Sequence, residues 1–432
     1  MEHSSELLKA VFYDGIDAVN GYDAVKCVLR INRKEIIISG NEYSYGQFKH
    51  IIVAGAGKAS VSMAKAIDDL VGERIERGIV ITKYGHGNRL KHIDVLEAGH
   101  PLPDQNSIDG TKRILHLSKY ADEQTLLIML LSGGASSLLV APDGIPLEDK
   151  IKTTELLLKA GAGIDELNTV RKQLSLVKGG GLANAFYPAH VITLMISDVI
   201  GNKLDTIGSG PTVKDSSTSI DALKIIQHYG LIKRVPVRVK QLLEQKSKAY
   251  TQHTRIRRTK NIIIADNRRA IEACRIRASK MGLKTIILTD SLHGEAKEVA
   301  KVLASIALEL KHKKINRGIC LISGGETTVN VIGKGKGGRN QELALSFAME
   351  LKGIKGITLL SAGTDGTDGP TDAAGAIVDY KTITKMKVHG IEPYQSLLNN
   401  DSYTALDSAN CLLKTGPTDT NVMDLQLIIV NP

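Results

Sequence analysis

Apolar runs and stretches of helical period alternate along most of the chain. Runs rich in Val, Ile and Leu predict strands at residues 50–54, 78–82, 126–131, 190–196, 262–265, 285–289, 318–322 and 357–360. The runs LLIMLL and ITLMIS are apolar at positions facing both ways, as a strand covered on both faces of a parallel sheet must be. Residues 59–71, 109–119, 147–160 and 294–311 read as helices. Strand and helix in alternation predict an α/β protein whose parallel sheets are covered by helices.

With 432 residues the chain exceeds what one ordinary core organises, so two domains are expected. The stretch VPVRVKQLLEQKSKAYTQHTRIRRTK is polar and basic and lacks a strand signal, and strands resume after it. This predicts a first domain over 1–240, a basic linker over 241–260 and a smaller α/β domain over 261–432. The halves share a grammar. In the first, strands run into LLSGGASS and ISDVIGN; in the second, into LISGGETT and LSAGTDGTDG. Ligands of open α/β sheets bind at the carboxyl ends of strands. One glycine loop and one acidic loop from each half are therefore expected at a shared cleft.

Composition narrows the partners. There is no Trp and there are only four Phe, so aliphatic residues must build the core. The 41 glycines cluster beside apolar runs, where they let a ligand approach the backbone. A formal net charge of +10 suits anionic partners. The densest basic run, TQHTRIRRTK, has no interleaved aromatics and matches no nucleic-acid motif, so small anionic substrates are expected and nucleic acid is not. No stretch approaches the ~18 apolar residues of a membrane span, and the first residues lack an apolar signal core. A cytoplasmic location without membrane contact is expected, as monomer or homodimer. Cys27, Cys274, Cys320 and Cys411 are widely separated, which predicts reduced structural thiols and no zinc site.

The loops carry the chemistry. In IIVAGAGKAS a strand meets Gly55, Gly57 and Lys58 before a helix, and bare amides with a lysine at that place favour an anion. The segment departs from a dinucleotide fingerprint: Ser60 stands where the third glycine belongs, and the next strand ends in Lys83, not an acid. In LSGGASS, Ser132, Gly133, Gly134 and Ser136 suit an anion nest. In NTVRKQLSLVKGGGLA, Arg171 and Lys178 flank a glycine turn suited to carboxylate or phosphate. Asp198, at a strand's carboxyl end, can hold a metal or accept a hydroxyl proton. Gly324, Gly325 and Glu326 repeat the nest with an acid added. Residues 333–342, GKGKGGRNQE, read as a mobile basic loop leading through Gly338, Arg339 and Asn340 into a helix, a phosphate-binding design. Asp365, Asp368 and Asp372 lie on a turn that suits Mg²⁺. No P-loop is present. Cations, nests and metal-binding acids together suit phosphoryl transfer, which needs mainly positioning and charge neutralisation.

Taken in order, GAGKAS, LLSGGASSLL, NTVRKQLSLVKGGGLA, ISDVIGNKLDTIGSGPT, LISGGETTV, GKGKGGRNQELAL and SAGTDGTDGPTDAAGA resemble the glycerate 2-kinases, the class whose carboxyl-terminal part is a MOFRL-type domain. The resemblance implies a Rossmann-like first domain, a smaller α/β second domain and an active site in the cleft between them. It also implies ATP, Mg²⁺ or another divalent cation, and D-glycerate as reactants, with 2-phosphoglycerate as product. Lys58 and Arg339 fall on the lysine of GAGKA and the arginine of GGRNQ that the family holds important, and Asp198 on the aspartate of its SDVxGN motif. Whether Asp198 or Asp365 would hold the metal stays open at this level. The alternative is an NAD(P)H-dependent hydroxypyruvate reductase, against which the defects of the fingerprint argue.

Overall fold

Each predicted strand forms in a computed structural model of the chain, which describes residues 2–248, 256–313 and 315–432. The chain folds as two units, Gly21–Ile264 on the one hand and Met1–Asn20 with Ala265–Pro432 on the other.

In the Gly21–Ile264 unit a six-stranded sheet runs in the order Asp94–Ala98, Ile75–Lys83, His50–Ala56, Thr125–Leu131, His190–Ile196 and Thr259–Ala265. The first five are paired in parallel. Numbered along the chain within this sheet, the order is 3-2-1-4-5-6, the doubly wound arrangement in which connections reverse direction between strands 1 and 4. Those two strands, His50–Ala56 and Thr125–Leu131, pair in unbroken register from His50 opposite Thr125 to Ala56 opposite Leu131. Both are apolar on both faces and pack on Ile81, Ile114, Leu138 and Phe186. A second apolar cluster joins the helices Leu147–Lys159, Ile164–Gln173, Ser219–His228 and Val237–Lys248 through Leu157, Val170, Ile226 and Leu243.

The partition of the chain differs from the one that composition suggests. Part of the basic linker is the end of the helix Val237–Lys248, which buries Val239 and Leu243. Thr259–Ala265 then closes the first sheet beside His190–Ile196 instead of opening the second domain. A helix that buries one narrow stripe and exposes Lys, Arg and Gln elsewhere has the composition of a linker. Residues 249–255, including half of the basic run, lie outside the described residues.

The other unit takes in the chain's amino-terminal helix, Glu2–Asp17, which packs on the helix Asn267–Lys280. Leu8, Val11 and Phe12 are buried there, and the Cys274 thiol donates to the Val11 carbonyl at 3.3 Å. The sheet runs Lys284–Leu292, Ile319–Gly325, Asp424–Val430, Ile357–Gly363, Gly375–Asp379 and Leu412–Leu413. Only its first pair is parallel. The expectation of parallel sheets thus needs correction here, because the last strand of the chain inserts antiparallel between two strands that share a direction. A strand buried on both faces is equally apolar in either direction, so the pattern of DLQLIIV carries no sign of its orientation. The register sets Asp424 opposite both Gly325 and Gly363, between two strand carboxyl ends.

Among the described residues no helix is long and apolar enough to cross a membrane, and all four cysteines are free.

Phe12→Ala should lower stability by ~3–5 kcal/mol, the usual loss for a fully buried aromatic. Hydrogen exchange should localise the loosening to Asn267–Lys280 and Asp424–Val430, with Thr125–Leu131 unaffected. Unchanged protection throughout would mean that the first helix is an appendage and not core.

Candidate active site

The loops that follow His50–Ala56 and Thr125–Leu131 meet because their strands are neighbours at the reversal of the sheet. Gly57 has φ +136°, and a Cβ there would collide with the hydroxyl and carbonyl of Ser132. Its own amide donates to the Ile81 carbonyl at 3.1 Å, and the Lys58 amide donates to the Gly133 carbonyl at 2.8 Å. The Ala59 amide donates to Ser132 Oγ at 3.0 Å. The amides expected to hold an anion in the first loop are therefore occupied in tying the two loops together. In the second loop, by contrast, the Gly133 and Gly134 amides have no acceptor among the described residues. The amides left open are thus those of Gly133 and Gly134, and Lys58 stands beside them on the first loop. The lysine is half-buried, and a Cβ on Gly134 would lie 3.5 Å from its Cγ and 2.9 Å from Cδ2 of His100, a residue that no sequence motif singled out.

The second loop continues into a polar cluster. Ser136 Oγ lies 2.9 Å from Ser209 Oγ, and Ser209 Oγ donates to Asn168 Oδ1 at 3.1 Å. Lys178 Nζ donates to the Ser136 carbonyl at 2.9 Å and to the Gly208 carbonyl at 3.5 Å. Lys178 thus braces the loop. The triple glycine after it serves packing: the Gly179 and Gly180 amides donate to the Ser209 and Gly210 carbonyls at 3.0 and 2.8 Å. Burial, with Lys150 and Arg171 nearby, holds the Lys178 amine far below its ordinary pKa. Lys150 is buried too, and burial with Arg171 and Lys246 lowers it to about 7. Lys150 escaped sequence reading because LEDKIKTTELLLK looks like any helix with a solvated charged face. Asp198 is half-buried just beyond His190–Ile196.

In the other unit the acids and Arg339 are already matched to one another. Arg339 grips the fully buried Asp424 with Nε to Oδ2 at 2.6 Å and Nη2 to Oδ1 at 2.9 Å, and its Nη1 lies 2.8 Å from Glu326 Oε1. Burial opposes its charge, but Asp424 and Glu326 outweigh that and raise its pKa further. Two corrections follow for the glycine-rich segment. At the start of the helix Arg339–Glu350 the Asn340 and Gln341 amides are not open to phosphate, because Asp368 accepts from them at 3.1 and 2.9 Å, whereas the Gly337 and Gly338 amides just before it have no acceptor among the described residues. Nor is the loop before it loose. The Ile332 and Gly333 amides donate to Asn400 Oδ1 at 2.9 Å each, Lys334 N to Asn399 Oδ1 at 3.1 Å and Lys336 N to Asp401 Oδ1 at 3.1 Å. Side chains on Gly333 or Gly335 would collide with that neighbouring strip, so the glycines serve close packing. Gly324 and Gly325 are likewise paired inside the sheet, opposite Leu425 and Asp424. A pocket of about 450 Å³ remains, lined by Glu326, Gly338, Arg339, Glu342 and Asp368 among others. Asp365 is half-buried nearby in sequence, its Oδ1 accepting from the Thr367 amide and hydroxyl at 3.1 Å each.

Known proteins resemble this chain in sequence and fold. Residues 7–244 match the model of a domain of unknown function (DUF4147), and residues 319–424 match the MOFRL family. A Thermotoga maritima protein named D-glycerate 2-kinase is 47% identical over 379 residues, 87% of this chain and 89% of its own. The chain belongs to the glycerate kinase family. A crystal structure of a glycerate kinase from Thermotoga maritima superposes over 100% of both chains with a TM-score of 0.87 at 43% identity. An Agrobacterium vitis relative, 43% identical over 88% of this chain and 87% of its own, carries a provisional hydroxypyruvate reductase name.

Burial, with Asp424 beside it, pushes Asp368 up to about 6 against the opposing pull of the Gln341 and Asn340 amides. Its native pKa lies above the ordinary value near 4, so the native state binds more protons between those limits, and stability falls as pH rises through that window. Denaturation of wild type and Asp368→Asn from pH 4 to 6.5 should show the variant gaining on the wild type as pH rises, by up to ~3 kcal/mol. A difference that stays flat with pH would contradict the shift.

Proposed function

We infer that this chain is an ATP-dependent glycerate 2-kinase, transferring the γ-phosphoryl group of ATP to the 2-hydroxyl of D-glycerate to give 2-phosphoglycerate and ADP. The observation that carries this reading is whole-length similarity to glycerate kinases, 47% identity in one case and a TM-score of 0.87 in the other, joined to loops of matching chemistry.

Transfer passes through a loose transition state with negative charge spread over the phosphoryl oxygens, so the protein's task is to position the groups and compensate charge. Lys58 is the cation assigned to that charge. The Gly133 and Gly134 amides form the nest beside it, fixed in place because Lys58 N and Ala59 N hold the same loop. Ser132 aligns the nest through its hydroxyl, and Ser136 anchors the far end of the loop. Arg339, clamped on Asp424 and paired with Glu326, spends three of its five donors on these acids and keeps one on each Nη for a phosphate.

The family implies a divalent cation. The donor set fits one that is shared with substrate phosphates: Mg²⁺ takes only one or two protein carboxylates, and the described residues contain no group of three or more ligating side chains. Either Asp198 or Asp365, each beyond the carboxyl end of a strand, would be the residue to hold it. When bound, such an ion neutralises the phosphate chain. Asp198 can alternatively take the proton of the acceptor hydroxyl.

The reductase reading has the doubly wound sheet in its favour, but the loop opposes it. Ser60 Oγ donates to the Gly57 and Ile81 carbonyls at 2.8 and 3.0 Å, and the amides a pyrophosphate would need are occupied. Consumption of NADH with hydroxypyruvate separates the two readings.

Lys58→Met should lower kcat/KM for D-glycerate phosphorylation by ~10²–10⁴ with little change in melting temperature, because the lost charge faces developing charge in the reaction. ADP release measured at several D-glycerate concentrations checks this. Kinetics near wild type would reduce Lys58 to a surface cation on a structural turn.

A further inference from the structure

We propose that Lys150, Arg171 and Lys178 form a subsite for the carboxylate of the acceptor acid, with Lys150 as the residue that selects an acid over a neutral polyol. The proposal rests on the kinase reading for the identity of the acid.

Lys150 stands on the first turn of the helix Leu147–Lys159, is only 6% exposed, and its amine has no hydrogen-bond partner among the described residues. Three carboxylates of the same unit are matched to other cations. Asp143 lies 2.6 Å from Lys246, and Asp205 and Asp215 lie 3.0 and 3.5 Å from Lys172. Arg171, on the helix Ile164–Gln173, has burial and no charge partner as the cause that lowers its pKa. Lys178 Nζ is directed by two carbonyls, Ser136 and Gly208, which leaves one of its three donors. Arg171 and the two buried lysines thus lie near enough for their charges to lower the Lys150 and Lys178 amines, and none of the three has a carboxylate partner among the described residues. A buried amine without a partner is costly to charge, and an anion that pairs with it offsets that cost.

The surroundings favour a hydroxy acid. Lys178 holds the loop that carries the Gly133–Gly134 nest, and the same loop presents the Ser136–Ser209–Asn168 hydroxyl and amide array. Carboxylate-binding cations thus adjoin groups that hydrogen-bond hydroxyls, on the segment proposed to receive phosphoryl charge. A phosphate of ATP offers the same anionic chemistry, and the test separates the two.

Lys150→Met should raise the KM for D-glycerate ~10–100-fold, the value of one charge-assisted hydrogen bond, while the KM for ATP stays within about twofold. Calorimetry supplies a second reading. Binding of D-glycerate to wild type at pH 8, in two buffers of different ionisation heat, should show proton uptake, because the carboxylate recharges an amine flanked by Arg171, Lys178 and Lys246. Lys150→Met should lose that uptake and melt no lower than wild type, since a desolvated charge has gone. An unchanged KM for D-glycerate in the folded variant overturns the proposal. So does a rise confined to the KM for ATP, which would assign the cations to phosphate. Should wild type turn over no D-glycerate, the kinase reading falls separately. The calorimetric arm still decides the subsite: uptake lost in Lys150→Met upholds it, and binding indifferent to the substitution overturns it.

Discussion

The reversal of strand order between His50–Ala56 and Thr125–Leu131 is the constraint on which the rest of the Gly21–Ile264 unit depends. Two parallel neighbours end side by side, and the chain leaves them toward opposite faces of the sheet. Their loops must pass so closely that Gly57 has no room for a side chain against Ser132. From that contact the division of labour follows. The first loop gives up its amides to hold the second, and the Gly133 and Gly134 amides of the second are left without an acceptor among the described residues. Lys58 is left as the first loop's contribution of charge.

The two units handle charge in opposite ways. Around the sheet edge of the Ala265–Pro432 unit, Asp424 and Glu326 are paired with Arg339 and Asp368 with helix amides, so each of these acids has a partner although together they outnumber the one cation. A residue so clamped reads as a scaffold for its neighbours. In the Gly21–Ile264 unit Lys150, Arg171 and Lys178 lack any such balance. Buried polar groups are nearly always satisfied, so an exception of this kind points to something that arrives and completes it.

Much of the fold was legible because its strands are short, wholly apolar and flanked by glycine, and those signals are local. What was not legible depends on distance along the chain. Nothing in EHSSELLKAVFYDGID says that its partner is a helix some 250 residues later, and nothing in DLQLIIV says that it enters a sheet antiparallel. The glycine loops show the same limit within a site. Ser132–Gly133–Gly134 and the segment from Gly333 to Gly338 look equally suited to phosphate, yet most of the second is tied down: its Gly333, Lys334, Gly335 and Lys336 amides are taken up by a neighbouring strip, and those of Gly337 and Gly338 remain. Asn399, Asn400 and Asp401, which occupy the second set, are some sixty residues further on and carry no motif. Lys150 was hidden for a related reason, since a lysine's burial is decided by what packs over its helix.

The central claim is a phosphoryl transfer to the 2-hydroxyl of D-glycerate, and the product itself tests it most directly. The chain should be incubated with ATP, Mg²⁺ and D-glycerate, and the product examined by phosphorus–proton correlation NMR. The account predicts a phosphate coupled to the C2 methine, with ADP formed in equal amount. Phosphate coupled to the C3 methylene would contradict it, as would unreacted glycerate in a preparation that oxidises NADH with hydroxypyruvate.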